Sequence, residues 1–206
     1  MTEKDTYKTI TKASDEVLFK DKNSKFFGYA FPVTTEELVK VHLEDLKKQH
    51  HSARHWCYAY QIGKTENEYQ FRANDDGEPN NSAGMPIYGQ LQSFDVTNVL
   101  IVVVRYFGGV KLGVGGLISA YKTAAQMALE ASKIVTRTIN QDIQLKFEYK
   151  DMNKVMRVIK EKNLKIKSQT LELDCTIIIS VRLKKSKAVL DAFKTIFNVK
   201  VNVLKN

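Results

Sequence analysis

Cysteine, proline and long apolar runs are all scarce in this chain of 206 residues. Its two cysteines, Cys57 and Cys175, lie far apart, and neither has a second Cys or His at the spacing of a zinc finger. That count excludes a disulfide framework and fits thiols buried in a reducing compartment. Four scattered histidines supply no zinc ligand set, and the three prolines form no Pro-rich linker. No apolar stretch approaches the roughly 20 residues that cross a bilayer. The opening residues, MTEKDTYKTITKASDE, are polar and mixed in charge, without the apolar centre of a secretory leader. Together these absences predict a cytoplasmic protein with no membrane partner, no bound metal and no cofactor.

Phosphate-loop fingerprints are missing as well. There is no G-x-x-x-x-G-K-[ST] and no G-x-G-x-x-G with its acidic partner. The acids are not spaced as in an EF-hand.

What is present is enough for a folded core: 43% of residues are hydrophobic and 10% aromatic. The length suits one large domain or two small ones. Charge divides the chain. Residues 1–133 hold 16 Lys and Arg against 16 Asp and Glu, whereas residues 134–206 hold 16 against 7, so the whole net charge of +9 sits in the last third. Such asymmetry points to a second domain facing a polyanion.

The chain is organised around residues 71–131. Here FRANDDGEPNNSAGMP is followed by the apolar run 99–104 and then by RYFGGVKLGVGGLISAYKTAAQ. Five of the ten glycines, Gly108, Gly109, Gly113, Gly115 and Gly116, fall in one short segment. Glycines between a strand and a helix permit tight turns and close approach, and backbone N–H groups at a helix start attract anions. Arg105, Tyr106 and Lys111 flank this candidate anion loop. The acidic loop Asp75-Asp76-Gly77-Glu78-Pro79 offers turn chemistry and possible cation ligands. His55, Asp76 and Glu78 are the candidate catalytic residues, and Cys57 shares a strand face with His55.

Elsewhere, periodicity predicts strands over 6–13, 24–33, 55–62 and 99–104, the last continuous and β-branched as in a central strand. Helices are predicted over 35–48, capped by Thr34 or Thr35, over 83–93, capped from Asn80-Asn81-Ser82, and over 117–131. Residues 133–139 read as a linker. The last third reads βαββαβ: an alternating strand over 143–149, a helix capped by Asp151, two strands within 171–183, a helix capped by Ser186 and a strand over 199–203. Lys154, Arg157, Lys160, Lys184, Lys185 and Lys187 lie away from its apolar helix faces and are the candidate nucleic-acid-binding residues. Its open sheet face, with Gln144, Lys146, Glu148, Ile178 and Ser180, lacks the stacking aromatics of an RNA-recognition motif.

The segments DDGEPNNSAGMPI and VVRYFGGVKLGVGGLISAY, with ARHWCYAYQIG and SKF, resemble the YigZ/IMPACT family over most of residues 14–133. The resemblance implies an α+β chain in two domains, of the bacterial two-domain type. Residues 1–135 would be a ribosomal-protein-S5-domain-2-like domain, and residues 139–206 a ferredoxin-like domain resembling those of elongation factor G. It also implies a cytoplasmic role in translation, with RNA, the ribosome or a translation-associated protein as partner. The chain departs from the family pattern in four places. Asn80-Asn81-Ser82 stands where Ser-Gly-Thr is common, Trp56 where Asn is, Val104 where Thr is, and Ser119 where Arg is. The resulting expectation is a non-catalytic, translation-linked regulator. Two alternatives stand beside it. One is an enzyme holding a phosphorylated small molecule or nucleotide over residues 108–116, with Arg105 and Lys111 on the phosphate and Asp76 or Glu78 as base or metal ligand. The other is a protein–protein interaction module.

Overall fold

The computed structural model describes residues 4–204 and divides them into two compact units, residues 7–137 and residues 4–6 with 138–204. The protein is mixed α+β, with five α-helices among the described residues.

In the first unit, β1 (Thr6–Ile10) leads to β2 (Val17–Asp21), β3 (Ser24–Pro32), α1 (Glu36–Gln49), β4 (His55–Ile62), β5 (Gln70–Asn74), α2 (Gly84–Ser93), β6 (Val99–Tyr106), α3 (Gly113–Glu130) and β7 (Ile134–Thr138). Five strands form one antiparallel sheet in the order β2-β3-β6-β4-β5, and β1 pairs separately with β7. The β-branched run falls in the middle strand, where Val99 to Val104 are fully buried. Burial of each such side chain contributes about 1.5–3 kcal/mol relative to exposure. One sheet face, with Phe26, Cys57, Ala59, Ile101 and Val103, packs on α2 and α3. The other, with Tyr29, Tyr60, Leu100 and Val102, takes Val39 and Leu46 of α1. The small residues Ala120, Ala124 and Ala128 let α3 lie directly on β3. A Cβ on Gly28 would meet the Ala124 carbonyl oxygen at 2.7 Å.

The second unit runs β8 (Asn140–Glu148), α4 (Met152–Glu161), β9 (Lys165–Thr170), β10 (Asp174–Arg182), α5 (Leu183–Lys194) and β11 (Lys200–Val203). Its antiparallel sheet has the order β11-β8-β10-β9. Both helices cover one face through Val155, Ile159, Val189 and Phe193, against Ile143, Leu145, Ile177 and Ile179. Asp5 belongs here. Its carboxylate accepts hydrogen bonds from Arg182 Nε at 2.5 Å and Nη2 at 3.2 Å, and Lys184 Nζ lies 3.6 Å away.

Several local expectations are corrected. The presumed linker carries β7, and the short edge strands β2 and β5 were not expected as strands. Within 171–183 there is one strand, β10; its hairpin partner is β9, so Lys165 and Lys167 lie on an edge strand. Asp151 does occupy the N-cap position of α4, but its side chain makes no cap hydrogen bond; its Oδ1 accepts instead from Lys154 Nζ at 2.7 Å. Ser186 does not cap α5, which begins three residues earlier, and its hydroxyl donates to the Leu183 carbonyl at 2.8 Å.

Candidate functional site

The acidic loop lies between β5 and α2, and each acid in it has a defined partner. The Asp75 carboxylate accepts from the backbone N–H groups of Ala83 and Gly84 through Oδ1, at 2.9 and 2.8 Å, and of Asn81 through Oδ2 at 2.9 Å. It therefore supplies the N-terminal cap of α2 from eight to nine residues upstream, in place of Asn80-Asn81-Ser82. Asp76 Oδ2 accepts from the Trp56 backbone N–H at 2.7 Å, and its carbonyl accepts from His55 Nδ1 at 2.8 Å. Asp76 takes φ +43° and Gly77 φ +86°, which turns the chain sharply. Pro79 closes the turn, its carbonyl accepting from the Ser82 backbone N–H at 3.0 Å.

Glu78 is the buried member of the loop. Its Oε1 accepts from Arg105 Nη1 at 2.6 Å and from the Tyr121 hydroxyl at 2.8 Å. The Arg105 guanidinium also lies 5.5 Å from the ring centres of Phe26 and Phe107, a cation–π arrangement. Burial pushes the Tyr121 hydroxyl far above its ordinary range, so it stays a proton donor. Cys57 donates its thiol proton to the Asp75 carbonyl at 2.9 Å, and burial raises its pKa too. It is a buried thiol and not a thiolate nucleophile paired with His55.

The glycines do not form one loop. Gly108 and Gly109 lie in the turn after β6, while Gly113, Gly115 and Gly116 open α3, which begins four residues before the expected start. A Cβ on Gly108 would stand 2.0 Å from the Asn23 carbonyl carbon, so the loop can pass the β2–β3 turn only with glycine there. Its N–H donates to Ser24 Oγ at 3.1 Å. No side chain caps α3, and Lys111 is exposed just before it.

Tyr106 enters a chain of polar groups on the α1 side that sequence reasoning missed. His50 Nδ1 lies 3.0 Å from the Tyr106 hydroxyl and Nε2 lies 2.6 Å from the Tyr29 hydroxyl, which donates to Glu16. Desolvation holds the His50 pKa below its ordinary value. A neutral imidazole satisfies the whole chain, with Tyr106 donating to Nδ1 and Nε2 donating to Tyr29. Three of the four groups are separated by long stretches of sequence, and no short motif links them.

The basic candidates divide in two. Lys154 pairs with Asp151, Arg157 with Glu161 at 3.2 Å, and Lys184 approaches Asp5. Lys160, Lys185 and Lys187 are exposed without an ion pair among the described residues.

Comparison with known proteins names the architecture. A family model, the Impact N-terminal domain, matches residues 22–129. This chain belongs to the IMPACT family. IMPACT family member YvyE of Bacillus subtilis (strain 168) is 35% identical over 162 residues, 79% of this chain and 73% of that protein. An IMPACT family member of Haemophilus influenzae is 30% identical over 81% of each chain. Protein IMPACT of Oryctolagus cuniculus shares 35% identity over 95 residues, 45% of this chain but 30% of that longer protein. A crystal structure described as a hypothetical protein has the same fold, with a TM-score of 0.72 and 24% identity over 98% of this chain and 99% of that one. Among the described residues no helix is long and apolar enough to cross a membrane.

Proposed function

We propose that this IMPACT family protein is a cytoplasmic, non-catalytic regulator linked to translation, which binds RNA or the ribosome. The observation that carries this reading is the state of the acidic loop. Asp75 is spent on a helix cap, Asp76 on β4 and Glu78 on Arg105 and Tyr121. A general base needs a carboxylate within reach of substrate, and these three are held by the fold. The confinement of excess positive charge to residues 134–206 supports a polyanionic partner. Of the six candidate basic residues, Lys160, Lys185 and Lys187 have no carboxylate partner among the described residues.

We infer the finer fold in the same way. Residues 1–135 would form an S5-domain-2-like domain and residues 139–206 a ferredoxin-like domain, the latter supported by its βαββαβ order and β11-β8-β10-β9 sheet.

The test is binding of the full chain to RNA and to ribosomes across a salt series. Affinity that falls steeply with salt is expected, and no binding at low salt would sink the reading. One observation favours a second reading: α3 opens on three glycines with no side-chain cap, beside Lys111. A nucleotide or other phosphorylated small molecule would dock there, and saturable nucleotide binding that disappears in Lys111→Ala would establish it.

A further inference from the structure

The pleat of β4 sets four side chains in a row: Arg54 immediately before the strand, then Trp56, Tyr58 and Tyr60. Cys57 and Ala59 point to the opposite face and into the other core. Helix α1 closes over the far end of the row, where Tyr60 is buried and its hydroxyl donates to Glu36 at 2.6 Å. Trp56 and Tyr58 pack against the core that α1 covers and stay half-buried, each leaving part of its ring at the surface. The Tyr58 and Tyr60 rings are parallel within 5°, their centres 6.5 Å apart.

Beside this row runs the edge strand β5, with Asn74 opposite Tyr58 and Arg72 opposite Tyr60. Lys47 Nζ reaches over the Trp56 ring, 5.8 Å from its centre. Arg54, Arg72 and Lys47 are exposed, and none of them makes an ion pair among the described residues. Aromatic faces ringed by unpaired cations and an amide suit one ligand chemistry. Unstacked bases lie on the rings, and the phosphates between them meet the cations. A duplex keeps its bases stacked on each other and offers no free face.

We propose that the β4–β5 edge is a stacking platform for single-stranded nucleic acid. Trp56 and Tyr58 lie under bases, and Arg54, Arg72 and Lys47 hold the backbone. The proposal rests on the RNA reading above, but it puts base contact in the first unit, apart from the lysines of α4 and α5.

Trp56 is the sole tryptophan, which makes its emission a direct reporter. The full chain is titrated with an oligouridylate of about ten nucleotides, a length within the range of single-strand sites. The DNA strand of equal length and an RNA duplex are titrated in parallel, and anisotropy of the labelled strand gives an independent binding curve. Saturable quenching of Trp56 by single strands and not by duplex is expected. Quenching by RNA and DNA alike supports stacking on base faces alone, and quenching by RNA only supports stacking with the 2′-hydroxyl also read. Tyr58→Ala should weaken binding roughly tenfold, while Tyr58→Phe, which keeps the ring, should not. Arg72→Gln, at an exposed edge, should weaken binding and flatten its salt dependence. Anisotropy that reports binding while Trp56 emission is unchanged and Tyr58→Ala binds as the parent does would overturn the platform and leave the RNA reading standing. Absence of single-strand binding in both readouts overturns the platform, and the RNA reading falls with it where the duplex and ribosomes also fail to bind at low salt.

Discussion

Glu78 and Arg105 show how a side chain that looks chemical in sequence becomes structural in the fold. Their side chains are 5% and 7% exposed, so removing one partner leaves the other's charge buried. Glu78→Ala should lower the free energy of unfolding by about 3–5 kcal/mol, read from urea denaturation. His50 gives a pH-dependent counterpart. Its pKa is lowered in the fold by desolvation, against the pull of Glu16, and the remaining groups facing the imidazole are the hydroxyls of Tyr29 and Tyr106. Unfolding returns the ring to about 6.5, so the unfolded chain binds more protons once pH falls below that value. The stability contributed by neutral His50 is therefore complete above pH 6.5 and declines as pH drops towards the lowered folded pKa. Thermal melts of His50→Gln should be flatter across that window than those of the parent.

At the scale of elements, α2 depends on a carboxylate outside it. Asp75→Ala removes three hydrogen bonds to backbone N–H groups and should cost about 2 kcal/mol, with faster amide exchange in the first turn of α2. Asp75→Asn, which keeps an acceptor oxygen, should recover part of the loss. No local pattern announces such a cap, because capping signals are read within a few residues and Asp75 acts across a loop. Strands β4 and β6 were legible because aromatic and β-branched residues leave no other element plausible. Strands β2 and β5 were not, since five residues, VLFKD and QFRAN, are too few to show a clean alternation. The start of α3 was hidden for another reason. Three glycines argue against helix by propensity, yet Leu112 and Leu117 are buried in the core and tertiary packing extends the helix through them. In the candidate site, sequence pointed to residues but not to the side chains the fold sets against them. The acidic loop, Arg105 and Tyr106 were all singled out, but their partners Tyr121, His50, Tyr29 and Glu16 come from other elements.

For the whole molecule, charge is the property that survives every local correction. Ion pairs within the second unit occupy Lys154, Arg157 and Lys184, so these should add little to a salt-dependent association. Replacing Lys160, Lys185 and Lys187 together with Ala should reduce the slope of log affinity against log salt by about 2, at roughly 0.7 per lost single-strand phosphate contact. Lys154→Ala should leave that slope nearly unchanged. The pairing of β1 with β7 has another consequence. The chain enters and leaves the first unit through two adjacent strands, so that unit has the form of a cassette, open at a single point. A fold whose ends lie side by side can be inserted into a host protein without stretching the host's own chain.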